Sequence, residues 1–216
     1  MTVLDTNAPN PWRSIWTEPR ATIQRIVDSN PEAWVLSLAA IGGFSQVLDR
    51  ASQRNAGDKL DVLTIFLIAA AAGPVGGIVS LYVGGALIGW TGKWLGGRAP
   101  RQNIRAAIGW SNVPLVWSLA LWVPELALFG KELFTSATPR LDESLPLTFT
   151  LVAFAVVEVA IAIWAIVVFL KCVGQVQGFS AWKALANVLL AVAVVVVPVV
   201  AMVLLLSPGN ALSQVF

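Results

Sequence analysis

Five apolar blocks, each nearly free of charge, constrain this chain more than any other feature: Ala33 to Leu48, Val62 to Gly92, Ala106 to Pro124, Ser144 to Leu170 and Ala184 to Phe216. An α-helix rises about 1.5 Å per residue and a bilayer core is about 30 Å thick, so a block of about 20 residues is enough to cross it. The composition agrees, at 57% hydrophobic and 12% charged residues, where soluble domains carry about 25% charge. A soluble domain is excluded. The expectation is an all-α, polytopic integral membrane protein: a five-helix transmembrane bundle over residues 32–216, preceded by a cytoplasmic arm over 1–31 with a short interfacial helix. The first block is the shortest, so its helix is expected to start a turn earlier, near Pro31. The second is too long for one straight crossing and contains Gly73-Pro74, where the missing amide predicts a kink, a tilt or a break.

Basic residues in the short loops orient such a bundle. The arm carries Arg13, Arg20 and Arg25, the second loop Lys93, Arg98, Arg101 and Arg105, and the fourth Lys171 and Lys183, which makes nine on one side. The other side carries five: Arg50, Arg54, Lys59, Lys131 and Arg140. This predicts a cytoplasmic N-terminus and an outer C-terminus. The first thirty-one residues contain acids, bases and four prolines, unlike a cleavable leader, so the first span is expected to stay in the mature protein.

Histidine is absent and cysteine occurs once, at Cys172. Intramolecular disulfides, Cys/His zinc sites, Ser-His-Asp triads and Cys-His dyads therefore cannot form within one chain, and neither a metal, a cofactor nor catalytic chemistry is expected. The net charge is only +2, which gives no reason to expect a nucleic-acid partner. No internal repeat of clear period points to an inverted-repeat transporter.

Four features remain as functional candidates. In the arm, Thr17 is placed to cap a helix beginning at Glu18 and Pro19, with Ile23, Ile26 and Val27 on one face and Arg20 and Gln24 toward the other; the pattern fits an anchor lying on the membrane or a docking face for a protein partner. In the second block, Gly73, Gly77, Ser80 and Gly84 form one stripe of small residues, and Gly85 and Gly89 form another. Such stripes let helices approach closely, within one chain or between copies in a homo-oligomer. The second loop joins Lys93, Arg98, Arg101 and Arg105 to Gly96-Gly97 without an acid or a phosphate-binding Gly-Lys-Ser/Thr ending, as expected of contact with anionic headgroups or a partner. Finally, Glu158 sits in mid-block on a face with Ala155, Ala162 and Ala165. A charge there costs at least about 2.5 kcal/mol, so Glu158 marks either an intramembrane polar site or an interhelical hydrogen bond to Ser111, Asn112, Gln175 or Asn187. No second mid-span charge is apparent to form a relay, and Glu125, beside Pro124, reads as a boundary residue. Trp34, Trp90, Trp94, Trp110, Trp122 and Trp182 fall near block ends, whereas Trp117 and Trp164 lie deeper and are expected between helices.

The segment from Trp94 to Trp117, centred on Gly109-Trp110-Ser111-Asn112-Val113-Pro114, resembles the central signature of the Ypt/Rab-interacting-protein (Yip) domain family, with Trp110 where the family pattern Gly-Tyr-x-x-x-Pro has tyrosine. The Gln175-Val176-Gln177-Gly178-Phe179-Ser180 loop and the Asn10-Pro11-Trp12 opening are similar to bacterial members. The resemblance implies a five-span membrane protein with a cytoplasmic N-terminus and no known catalysis, with Gly109, Trp110 and Pro114 as motif residues. Eukaryotic members place Asp-Leu-Tyr-Gly-Pro before the first span; here the region reads Asn30-Pro31-Glu32-Ala33-Trp34, so a link to Rab-type GTPases is not carried over.

These readings together imply a non-enzymatic protein of a bacterial inner (plasma) membrane that organises lipids or protein partners. The alternative is a small transporter or channel for a proton, ion, lipid or small solute that uses Glu158.

Overall fold

A computed structural model describes residues 9–206, and among them every regular element is helical. Asn10 starts the first: its side-chain oxygen accepts the Trp12 amide at 3.0 Å and Pro11 occupies the first turn, giving α1 (Pro11–Thr17). Thr17 is therefore the end of α1 and does not cap the next helix. Glu18 holds the cap position of α2 (Pro19–Ser29) without a side-chain bond.

After a turn come α3 (Val35–Gln53) and α4 (Val62–Trp94), then α5 (Arg101–Ser111), α6 (Val113–Ser118) and α7 (Trp122–Phe129), then α8 (Pro139–Glu143), α9 (Leu145–Gln177) and α10 (Ala181–Leu206). Four runs are long and apolar enough to cross a membrane: Val62–Trp94, Arg101–Phe134, Leu145–Gln177 and Ala181–Leu204. The expected first span, α3, falls short of that standard, because Ser45, Gln46, Asp49 and Arg50 dilute its second half. Part of the expected fifth span, residues 207–216, lies outside the described residues.

Prolines explain where the runs break. A proline lacks the amide that would bond the carbonyl four residues back, and its ring crowds that carbonyl. Pro114 opposes Trp110 and Pro124 opposes Ala120 in this way, and the third run is interrupted at Asn112 and again at 119–121, where tighter three-residue bonds take over. Pro74 produces no break, and α4 continues through it.

The tightest contact is between α3 and α4. A methyl added to Gly43 would meet the backbone of Gly73 and Gly77, and one added to Gly77 would meet the carbonyl of Ala39. The Gly73 and Gly77 part of the first stripe of small residues is thus spent within the chain. Gly85 and Gly89 in turn face Arg105, Ile108 and Ile104 of α5, while Gly76 and Gly84 face open space.

Helices of 33 residues, α4 and α9, are about 50 Å long and overrun a bilayer core by about 20 Å. The overrun is clasped at the end of the bundle that carries the arm. Ile23 and Ile26 of α2, expected on the membrane surface, are buried in one core with Ile104, Ala107, Val168 and Cys172. Arg20 donates to Gln175 Oε1 (3.3 Å) and to the Phe179 carbonyl (3.2 Å), and Gln175 donates to Gln24 (3.1 Å). Trp164 and Trp117, expected between helices, are exposed. The Trp164 indole is satisfied at the surface by the Trp16 carbonyl (3.1 Å). Around the rest of the bundle, α4, α9 and α10 turn an apolar girdle outward, including Leu63, Leu67, Phe149, Val156 and Val196; water does not tolerate a continuous surface of this kind, and lipid does.

At the far end, Ser52 donates to the Leu133 carbonyl (2.6 Å), and the Asp58 carboxylate accepts the Ser136 amide (3.0 Å). The Glu132 carboxylate accepts the amides of Arg140 and Leu141 at the start of α8.

Candidate functional site

The basic loop forms one wall of a groove. Between the last turns of α4 and the start of α5 lies a cavity of about 500 Å³, floored by Gly85, Leu87, Gly89 and Ile104 and flanked by Trp90. Gly85 and Gly89 put no side chain into this space. Lys93 and Arg101 stand at its mouth. Their side chains form no hydrogen bond or ion pair among the described residues, and both are exposed. Of the other two predicted bases, Arg98 is exposed on the loop, and Arg105 is engaged by Glu32 (3.3 Å) and by the Tyr82 ring (5.1 Å).

Of the two environments the sequence leaves open for Glu158, the interhelical hydrogen bond is not formed among the described residues. None of its four candidate partners reaches it. Ser111 donates to the Ile108 carbonyl (2.7 Å), Asn112 packs on Gly42, Gln175 belongs to the arm network, and Asn187 bonds Thr91 (2.7 Å) and the Ile88 carbonyl (3.1 Å). Glu158 instead lines a cavity of about 320 Å³ with Asp49 of α3 and Glu125 of α7. Glu125, read from the sequence as a boundary residue, is only 4% exposed and lines this cavity, and a second and a third acid do accompany Glu158. The sequence hid both because each lies at the end of an apolar block, where one chain alone reads it as an edge. The interruption at 119–121 precedes α7, the helix that brings Glu125 to the cavity.

The motif residues act in packing. A methyl on Gly109 would lie 3.0 to 3.3 Å from Val35, so glycine is what allows α5 to touch the start of α3. Trp110 is buried and donates its indole N–H to the Ala33 carbonyl (3.1 Å), and Trp12 of α1 sits edge-on to both Trp110 and Trp34. This clasp holds Trp34 at φ 61°, a left-handed backbone that few non-glycine residues adopt. Pro114 occupies the first turn of α6 after the break at Asn112. In the other signature loop, Gly178 caps α9 with φ 71°, and the Gln177 side chain seats on Gly92 and Gly97 and donates to the Ile88 carbonyl (3.4 Å). The two loops interlock.

Comparison with protein families matches residues 13–203 to the Yip1 domain. The chain belongs to the Yip1 domain family. Comparison with curated proteins and with solved structures returns no match. The Yip1 match takes in the arm from Arg13, the groove, the three acids and most of α10, so both candidate sites are parts of the domain. Its apolar helices fit a non-enzymatic membrane protein. Among the described residues, no three acidic or cysteine side chains come close enough to hold a metal ion.

Proposed function

We propose that this Yip1-domain protein is a non-enzymatic organiser of membrane lipid that seats an anionic phospholipid in the groove between α4 and α5. One observation carries the reading: an apolar channel ends at two cations, Lys93 and Arg101, that have no partner among the described residues. An acyl chain matches the floor, a phosphate matches the mouth, and Arg98 and Arg105 add positive charge beside it. In this reading α3 is the first of five crossings, the arm, the groove and the N-terminus face the cytoplasm of a bacterial inner membrane, and the C-terminus is outside. The apolar face of the arm is already occupied, so a protein partner would meet its polar face. A second copy in a homo-oligomer would use the open Gly76 and Gly84.

The test is native mass spectrometry of the purified chain with phosphatidylglycerol and with phosphatidylcholine. At about 1 kcal/mol per base near the membrane surface, Lys93→Gln with Arg101→Gln is expected to weaken binding of the anionic lipid about 30-fold and to leave the zwitterionic one unchanged. Equal loss for both lipids, or none, would sink the reading. Transport of a proton, ion, lipid or small solute is a second reading, favoured by the convergence of three helices' acids on one cavity. Flux through proteoliposomes no greater than through empty vesicles ends it.

A further inference from the structure

Among the described carboxylates that are withdrawn from solvent, the three acids that share the cavity are the ones left without a partner. Glu132 accepts two amides, Asp58 and Asp61 each accept one, and Glu32 pairs with Arg105. Asp49, Glu125 and Glu158 have neither a hydrogen bond nor an ion pair among the described residues, and no Lys or Arg lines their cavity. Glu125 is the most demanding of them, at 4% exposure. No fully enclosed side-chain oxygen among the described residues lacks a partner, so the unpartnered Glu125 oxygens look into the cavity space itself.

Uncompensated carboxylates in a poorly solvated space take up a proton or hold a counter-cation. The shape of the cavity restricts which cation fits. A bare calcium ion needs oxygens converging at about 2.3 to 2.6 Å, and the acids do not converge to metal-holding distance. A volume of about 320 Å³ is at the lower end of the range for small organic ligands. The rest of the wall is mixed: Ser52 and Ser118 supply oxygens, and Trp122 and Leu151 supply apolar surface. Trp122 is itself fixed by stacking on Phe134, with centroids 5.6 Å apart. Carboxylates spaced too widely for a metal, next to an aromatic ring, are what an ammonium group with an organic substituent requires, since the ring attracts the cation while the apolar wall takes the substituent.

We propose that the Asp49–Glu125–Glu158 cavity is a binding site for an organic ammonium ion. The site is separate from the phospholipid groove, and the inference concerns binding at equilibrium. Binding without flux leaves it standing and ends only the transport reading. A free amine and the headgroup of an aminophospholipid share this chemistry.

The test uses the full chain in dodecyl maltoside, a detergent with neither charge nor amine, titrated calorimetrically with benzyltrimethylammonium, which has no ionisable proton. Saturable binding near one per chain is expected, about tenfold weaker in Glu125→Gln and again in Asp49→Asn, with no binding of benzyl alcohol. Displacement by short-chain phosphatidylethanolamine assigns the site to a lipid headgroup, and displacement by benzylamine alone assigns it to a free amine; both support the proposal. It is overturned by absence of saturable binding, by binding that survives both substitutions, or by calcium or sodium chloride competing at concentrations below the probe's own. Should Glu125→Gln fail to give a monodisperse protein, Glu158→Gln and Asp49→Asn carry the same comparison, and affinity unchanged in both overturns it.

Discussion

The contact between α3 and α4 predicts a large difference between mid-helix glycines that look equivalent in the sequence, Gly43 of α3 and Gly76 and Gly84 of α4. A Cβ on Gly43 would lie 2.8 Å from both the N and Cα of Gly77 and closer still to the Gly73 carbonyl; contacts below about 3.4 Å are already tight, so the helices would have to part by about 0.6 Å or more. The obstructing atoms are backbone, which cannot rotate out of the way as a side chain does. Overpacking costs about 1 to 3 kcal/mol, and this case belongs at the upper end. The helix-propensity gain of alanine over glycine, about 1 kcal/mol, offsets part of that, leaving a net loss of about 2 kcal/mol for Gly43→Ala. Gly76→Ala and Gly84→Ala meet nothing within 4 Å and keep the propensity gain, so the two classes should differ by about 3 kcal/mol. Unfolding in mixed dodecyl maltoside and SDS micelles, followed by circular dichroism, measures this directly. If Gly43→Ala and Gly76→Ala agree within about 0.5 kcal/mol, the spread usual for neutral substitutions, the backbone contact is not what holds these helices together.

Two further outcomes test the ends of the bundle. Cys172 is fully buried, with its sulfur 3.7 Å from the Pro19 carbonyl under α2; maleimide should label it about 100-fold more slowly in the full chain than after deletion of residues 1–30, as a local opening free energy of about 3 kcal/mol gives, and equal rates would mean that the arm does not cover it. At the far end, the Ser136 amide holds the Asp58 carboxyl below its usual range. The stabilisation is therefore present above the unfolded value of about 3.9 and is lost as pH falls through the lower folded value: the hydrogen-exchange protection factor of the Ser136 amide should hold from neutral pH to about 4.5 and fall below about 4, Asp58→Asn should remove that step, and a flat profile in the unsubstituted chain would refute the tether.

How much of this molecule is legible in its sequence depends on the range over which each residue's cost is felt. Glu158 stands out because a charge in mid-block is costly whatever surrounds it, and the Gly73 and Gly77 stripe stands out because small residues at helical spacing make a face before any partner is known. The partner is a different matter. Whether Gly77 meets Ala39 of α3 or another copy depends on a pairing that no local pattern encodes, and whether Glu125 is an edge or a lining residue depends on an interruption at 119–121 whose cause, Pro124, reads equally well as the end of a span. The arm shows the same limit: its apolar stripe of Ile23 and Ile26 is evident, but lipid and protein offer an apolar face the same transfer energy, and what decides for protein is the burial of that face against Val168 and Cys172 together with the Arg20 bonds to Gln175 and Phe179. Those bonds also explain why the fourth apolar block, ending at Leu170, looks short beside α9, which runs to Gln177. Polar residues at the arm end, which in the sequence seem to finish a span, are satisfied by one another in the clasp, and α9 runs on through them for about two turns, from Lys171 to Gln177.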